Sequence, residues 1–204
     1  DVGWAVLIVG SDVDAFDKER FNAHLTLFQN LVFGSISSPD LVPAEFPADS
    51  PLWSFLASQK LDEPFYRLGR EASAVIVDLF EEVSDNMKIL ERLDLIEPAR
   101  LGDYSAALKR TEGVGFANVP VADQHRFIRV AMGYNESRHR LGLLNDELRA
   151  GIVDARAIFH ERLPERMRPI FAFHEPDALN PFASVQDNIL FGRIADERSG
   201  AVDR

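Results

Sequence analysis

Cysteine is missing from all 204 residues, which removes disulfides, thiolate metal sites and cysteine nucleophiles together. That suits a reducing compartment without proving one. None of the twelve glycines is followed by lysine, so no phosphate-cradling G-x-x-x-x-G-K-[ST] loop exists. There is no Ser-Gly-Gly segment, no strand ending in paired acids, and no Gly-x-Ser-x-Gly elbow to expose an activated serine. No run of eighteen apolar residues occurs, which excludes direct membrane insertion by a helix. Basic charge is scarce, at 22 Lys and Arg against 33 Asp and Glu, and a net charge of -11 argues against a nucleic-acid partner. The deficit is uneven. Residues 1–100 carry 8 basic and 18 acidic side chains, whereas residues 101–204 carry 14 and 15. The first half should therefore repel anionic lipid headgroups.

Hydrophobic content of 46% with 27% charged residues is ordinary for a globular chain of one domain, or one domain with an appendage. Its most informative feature is a repeat. Asn180-Pro181-Phe182-Ala183-Ser184-Val185-Gln186-Asp187-Asn188-Ile189-Leu190-Phe191-Gly192-Arg193-Ile194 follows Asn22–Ile36 at a constant offset of 158. Asn22/Asn180, Asn30/Asn188, Phe33/Phe191, Gly34/Gly192 and Ile36/Ile194 are identical. With one extra residue, the match reaches back to Ala15-Phe16 and Ala172-Phe173. Two copies are too few for a solenoid. Thr26 with Gln29, and Ser184 with Asp187, have capping-box spacing, so each copy reads as a helix start. Gly34 and Gly192 are expected to end those short helices through their permissive backbone.

Ser184-Val185-Gln186-Asp187-Asn188-Ile189-Leu190-Phe191-Gly192 resembles the T-V-x-E-N-I/L-x-x-G segment of ABC transporter ATP-binding domains, and Thr26–Gly34 resembles it too. In that family the segment follows the Q-loop, where the helical subdomain contacts the transmembrane partner. Phe16-Asp17-Lys18-Glu19-Arg20-Phe21-Asn22 is similar to a lead-in of some large, poorly characterised bacterial ABC proteins. The resemblance spans two stretches of roughly twenty residues, a motif of moderate specificity. The family's Q-loop glutamine is absent, its positions holding Glu175 and Pro176 in one copy and Asp17 and Lys18 in the other. The resemblance implies a non-catalytic piece of a longer protein, between Q-loop and signature regions, swollen by a helical insertion. The start at Asp1 without methionine fits an excised fragment or a mature product. ATP and Mg are then expected only in the parent. The fragment itself needs no cofactor, metal or catalytic residue. Its partners would be the host ATPase domain and a transmembrane domain, placing it in the cytoplasm at the inner face of the membrane. Thr26, Asn30, Gly34, Phe182, Ser184, Asn188 and Gly192 are the implied partner-contact candidates.

Along the chain, Trp4–Val9 is a short apolar run that reads as a buried strand closed by Gly10-Ser11-Asp12. Prolines 39, 43, 47 and 51 make residues 35–51 an extended connector. A short helix is expected at Leu52–Gln59. Phe65, Leu68, Ala72, Val75, Leu79 and Val83 form one apolar face, which continues through Met87, Leu90 and Leu93 either unbroken or after a break near Ser84-Asp85-Asn86. Glu81-Glu82 on such a helix reads as a solvated face rather than a metal site. Further helices are expected at Asp103–Thr111, Val121–Met132 and Leu144–Leu163, with Gly113-Val114-Gly115 a turn. Arg149, Arg156 and Glu161 fall off the last helix's apolar stripe. Arg162, Arg166 and Arg168 suit the negative end of its dipole, with an anion-binding cluster as the alternative. Pro169–Phe173 is a second strand candidate. His24, His125, His139, His160 and His174 show no metal-helix spacing. His174-Glu175-Pro176-Asp177 could hold a divalent ion, but a proline-bearing acidic turn is the simpler account.

The expected fold is mainly α: a helical bundle-like core with two short peripheral strands. Residues 1–36 and 169–204 each hold a strand and one copy of the unit, and 37–168 form the insertion. Because an insertion leaves and rejoins its host at neighbouring points, Gly34 and Asn180 should approach one another. Besides the ABC-type insert, two other functions stay open: a free-standing helical interaction module, and an enzyme using His174, Glu175 and Asp177.

Overall fold

The apolar stripe that begins at Phe65 needs a partner face, and in the computed structural model Val121–Gly133 supplies it. The structure describes residues 13–15, 17–36, 47–82, 94–163, 165, 168, 171–174, 180–181 and 192–194. Of these, 13–15, 36, 81–82 and 192–194 are described by backbone alone. The helices are α1 (Leu27–Val32), α2 (Pro51–Ser58), α3 (Asp62–Glu82), α4 (Leu101–Arg110), α5 (Val121–Gly133), α6 (Glu136–His139) and α7 (Asp146–Arg162). Single 3-10 turns occupy Pro98–Arg100 and Phe116–Asn118. The strands are β1 (Val13–Ala15), β2 (Gly34–Ile36), β3 (Phe171–Phe173) and β4 (Gly192–Ile194). The fold is mainly α.

Helix starts follow local chemistry. Ser50 caps α2 by accepting from Leu52 N, ahead of Pro51 at the first helical position. Asn145 caps α7 by accepting from Leu148 N, and Asp146 and Glu147 complement the dipole. The α3–α5 contact is the tightest in the core. A Cβ on Gly69 would strike the carbonyl of Phe127 and come within 3.0 Å of Ala131 N, so only glycine lets the two backbones approach this closely. Phe65, Ala72 and Ile76 of α3 and Phe127, Ile128 and Ala131 of α5 are buried around that crossing. Side chains of α1, α2, α4 and α7 (Leu31, Leu56, Ala107 and Ile152 among them) join the same cluster. The unit at 22–36 therefore shares one core with the helices that follow it.

Several expectations meet corrections. Three-residue strands at 13–15, 34–36 and 192–194 carry no apolar alternation long enough to be read, and they bring the described strands to four. Trp4–Val9 and the stripe beyond Val83 lie outside the described residues. Phe171–Phe173 is a strand within the expected Pro169–Phe173. Arg156, expected off the apolar stripe, is 2% exposed, because α1 packs on the side of α7 that the stripe leaves open.

Candidate functional site

The two sequence copies meet through their strands, and they do so reciprocally. β1 pairs antiparallel with β4, with Val13 opposite Ile194, Asp14 opposite Arg193 and Ala15 opposite Gly192. β2 pairs antiparallel with β3, with Gly34 opposite Phe173, Ser35 opposite Ala172 and Ile36 opposite Phe171. The offset of 158 that relates Asn22–Ile36 to Asn180–Ile194 carries β2 onto β4, and, one residue out of step with the Ala15/Ala172 match, it carries β1 onto β3. It also carries each register onto the other, residue for residue. The first strand of each copy thus pairs with the second strand of its counterpart, as in an isologous contact between two halves.

Copy one is built around two asparagines. Asn30, fully buried, accepts from Asn22 N at 2.9 Å and donates to Asn22 O at 2.8 Å, Thr26 O at 3.1 Å and Leu25 O at 3.3 Å. Asn22 in turn accepts from His24 N at 2.8 Å. The turn before α1 is thereby held by side-chain amides where no ladder could reach it. Thr26 and Gln29 form the reciprocal capping box that their spacing predicts.

The end of α1 departs from expectation. Phe33, not Gly34, takes the left-handed conformation, with φ 50°. Gly34 begins β2 instead. A Cβ there would strike Ala172 O and stand 2.9 Å from Phe173 Cα, so glycine is required by close approach of β3 rather than by backbone sign. The approach of Gly34 and Asn180 is realised one residue on, where Asn180 Nδ2 donates to Ser35 Oγ at 3.3 Å and to Ala172 O at 2.9 Å.

Two side chains of α7 lock this junction to the helices. Arg156 Nε donates to Asn30 O at 2.9 Å, Nη1 reaches the carbonyls of Asp17, Lys18 and Arg20, and Nη2 shares the last. Its guanidinium also lies 4.3 Å from the centre of the Phe33 ring. Burial pushes the guanidinium down to about 10, against the opposing pull of Asp17 and Glu19, so it stays charged at neutral pH. One turn on, His160 stacks on Phe173 at 3.8 Å and directs Nε2 at Val32 O, 2.5 Å away. Facing a carbonyl, that nitrogen carries the proton. The turn between α5 and α6 grips the other side. Leu27 N donates to Tyr134 O at 2.9 Å, and Asn135 Nδ2 donates to His24 O at 2.7 Å.

Chemically, this arrangement clamps. The guanidinium's donors go to main-chain carbonyls, and among the described residues no nucleophile with an adjacent base stands in it. Among the described residues no three His, Asp or Glu side chains gather as metal ligands. His174 packs edge-on against Phe33 and its N–H donates to Phe33 O at 3.0 Å, while Glu175 and Asp177 lie outside the described residues. Of the contact candidates, Thr26 caps α1, Asn30 and Gly34 face inward, and Gly192 sits in β4 opposite Ala15. Phe182, Ser184 and Asn188 lie outside the described residues. Sequence reasoning missed Arg156, Tyr134 and Gly69. Arg156 had a signal, an arginine four residues before His160 on a helix flanked by apolar runs, and Gly69 had one, a glycine inside a long helical stripe; Tyr134 had none. No family model, curated protein or solved structure matches the chain.

Proposed function

We propose that this chain is a non-catalytic region of an ABC-type ATP-binding protein, acting as a regulatory or coupling insert against its host ATPase domain or a transmembrane partner. The observation that carries the reading is the reciprocal pairing of the two copies. Strands 13–15 and 34–36 pair with strands 192–194 and 171–173 in reciprocal registers, and the two pairs bracket the helices as a host bracketing an insertion would. ATP and Mg belong to the parent, which would hold the chain in the cytoplasm at the inner face of the membrane. Among the described residues no helix is long and apolar enough to cross a membrane, so contact with a transmembrane partner would be made from outside the bilayer. The test is the coding sequence on either side. A phosphate loop upstream and a Ser-Gly-Gly signature downstream are expected, and stop codons close to both ends would overturn the reading. A second test is turnover. The purified chain should not hydrolyse Mg-ATP, and measurable turnover would remove "non-catalytic".

A free-standing helical interaction module is the second reading, favoured by one observation. Leu27, Phe28, Leu31 and Val32 of copy one belong to the same buried cluster as α2–α7, so the copy is not a detachable host fragment.

A further inference from the structure

We propose that the open groove between the first half of α3 and the start of α7 docks an amphipathic helix of a partner protein, apolar on one face and basic along its edges. The groove holds about 810 Å³ and is open along one side, so it selects by surface chemistry and not by size. Each wall is one helix face. Glu63, Arg67 and Glu71 recur every four residues along α3, and Glu147 and Gly151 do so on α7. The floor is apolar. Leu61, Leu68 and Leu148 are buried beneath it, and Phe116 and Leu143 are half-buried at its surface.

Gly151 is the independent sign of an occupant. Glycine inside a helix weakens it, so an interior glycine calls for a reason. At Gly69 the reason is internal, since a Cβ would strike the backbone of α5. At Gly151 a Cβ would meet, among the described residues, Leu61 Cδ2 alone, at 3.3 Å, the end of a flexible side chain that can give way. The packing of the fold therefore does not call for glycine there. What glycine does at 151 is lower one wall of the groove, so that a second backbone can come close.

Charge then selects the occupant. Asp62, Glu71 and Glu147 line the groove, and among the described residues no cation stands within ion-pairing distance of any of them. Glu63 is already taken by Arg67, which leaves Lys60 as the basic side chain of the described lining without an acid partner. Asp62 and Glu147 also answer the dipoles at the starts of their helices, whereas Glu71 lies well inside α3, where no dipole calls for it. Carboxylates that reach solvent steer a basic partner in and turn an acidic one away, while the apolar floor supplies the affinity. The mode is a helix laid by its apolar face into a hydrophobic groove. It would serve a free-standing module as well as an insert.

Fluorescence anisotropy of a labelled, helix-forming Leu/Lys peptide titrated with the full chain tests this. Two further peptides are compared with it: one of the same composition reordered to abolish the apolar face, and one with glutamate in place of lysine. Saturable binding of the amphipathic basic peptide is expected, with both others at least about tenfold weaker. Gly151→Leu, which fills the groove and leaves its charge, should weaken binding about tenfold. Glu71→Gln combined with Glu147→Gln should weaken it about threefold and flatten its dependence on sodium chloride, whereas Glu161→Gln, on α7 outside the groove, should do neither. Glu71 and Glu147 are exposed, so their double variant keeps the test sound if Gly151→Leu fails to fold. No saturable binding, equal affinity for the peptide without an apolar face, or wild-type affinity in a folded Gly151→Leu or in the double variant would each overturn the proposal. Sedimentation of the chain alone that reveals a dimer dissolved by Gly151→Leu would assign the groove to a second copy and overturn the partner-helix assignment.

Discussion

The α3–α5 crossing and the junction of the two copies are held by opposite kinds of physics. At the crossing, apolar side chains close around Gly69, and the interaction is shape and area, with no buried charge taking part. At the junction, two ladders of three residues per strand could not stand alone. They persist because side chains answer the main-chain groups that the ladders and the short α1 leave over: Asn30, Arg156, His160 and Asn180. A non-directional interface tolerates exchange of one hydrophobe for another of like volume. A directional one does not, because deleting a donor leaves buried carbonyls behind.

The largest effect should come from the crossing. Gly69→Val puts a branched side chain where one Cβ already strikes the Phe127 carbonyl, so α3 and α5 must separate. A loss of more than about 3 kcal/mol is expected, beyond the usual range for overpacking because the obstacle is backbone. Urea unfolding followed by tryptophan fluorescence reads it, and a loss under about 1 kcal/mol would mean that the crossing is looser than described.

Next in size is Arg156→Met at the junction. Methionine removes a buried charge, which by itself can stabilise, but here the partners left behind are the carbonyls of Asp17, Lys18, Arg20 and Asn30. A net loss of roughly 2–4 kcal/mol is expected, and Arg156→Lys should recover little of it, because an ammonium lacks the fork that spans several carbonyls. If methionine came within about 0.5 kcal/mol of the parent, the directional account of the junction would fall.

The same contrast explains what could be read beforehand. Helices α2, α3, α4, α5 and α7 follow from apolar stripes and helix-ending signals, which are local, so Phe65 through Leu79 and Leu144 through Leu163 announce themselves. The junction rests on contacts between residues more than a hundred apart, such as Arg156 with Asn30, and a three-residue strand has no period to detect. The repeat alone marked it, by identity rather than by pattern. It singled out Asn30 and Gly34, both of which are buried at the junction, and it misread Gly34's task, because left-handed backbone at a helix end is far commoner than a glycine required by a crossing strand. Neighbouring Arg162, Arg166 and Arg168 read as partners of the α7 dipole or as an anion-binding cluster. Of those, Arg168 pairs with Glu165 at 3.1 Å, and Arg166 is outside the described residues.

Gly34→Ala separates the two regions. Its methyl would press on Ala172 and Phe173, opening β2 from β3 while leaving the crossing intact. A loss of about 2 kcal/mol is expected. Hydrogen exchange should speed up at the His174 amide, which donates to Phe33 O, and stay slow in the amides of Phe127 to Met132. Equal acceleration in both places would show that junction and crossing are one cooperative unit.

The smallest effect belongs to Tyr134, which joins the two regions. Its carbonyl accepts from Leu27 N in copy one, and its hydroxyl donates to Glu136 at 3.0 Å and accepts from Leu141 N at 3.2 Å. Burial, then the bond to Glu136, pushes its ionisation up to about 12. An unfolded tyrosine ionises near pH 10, so between 10 and 12 the folded chain keeps a proton that the unfolded chain releases. The stability contributed by this group is therefore complete below about pH 10 and is lost as pH rises through 12. Tyr134→Phe should lower stability by about 1 kcal/mol at pH 7, the value of a hydroxyl bonded on both sides. It should also remove the last step of the phenolate titration at 295 nm. Were that step to persist unchanged in the variant, the hydroxyl would not be the enclosed link between the helices and the junction that its contacts describe.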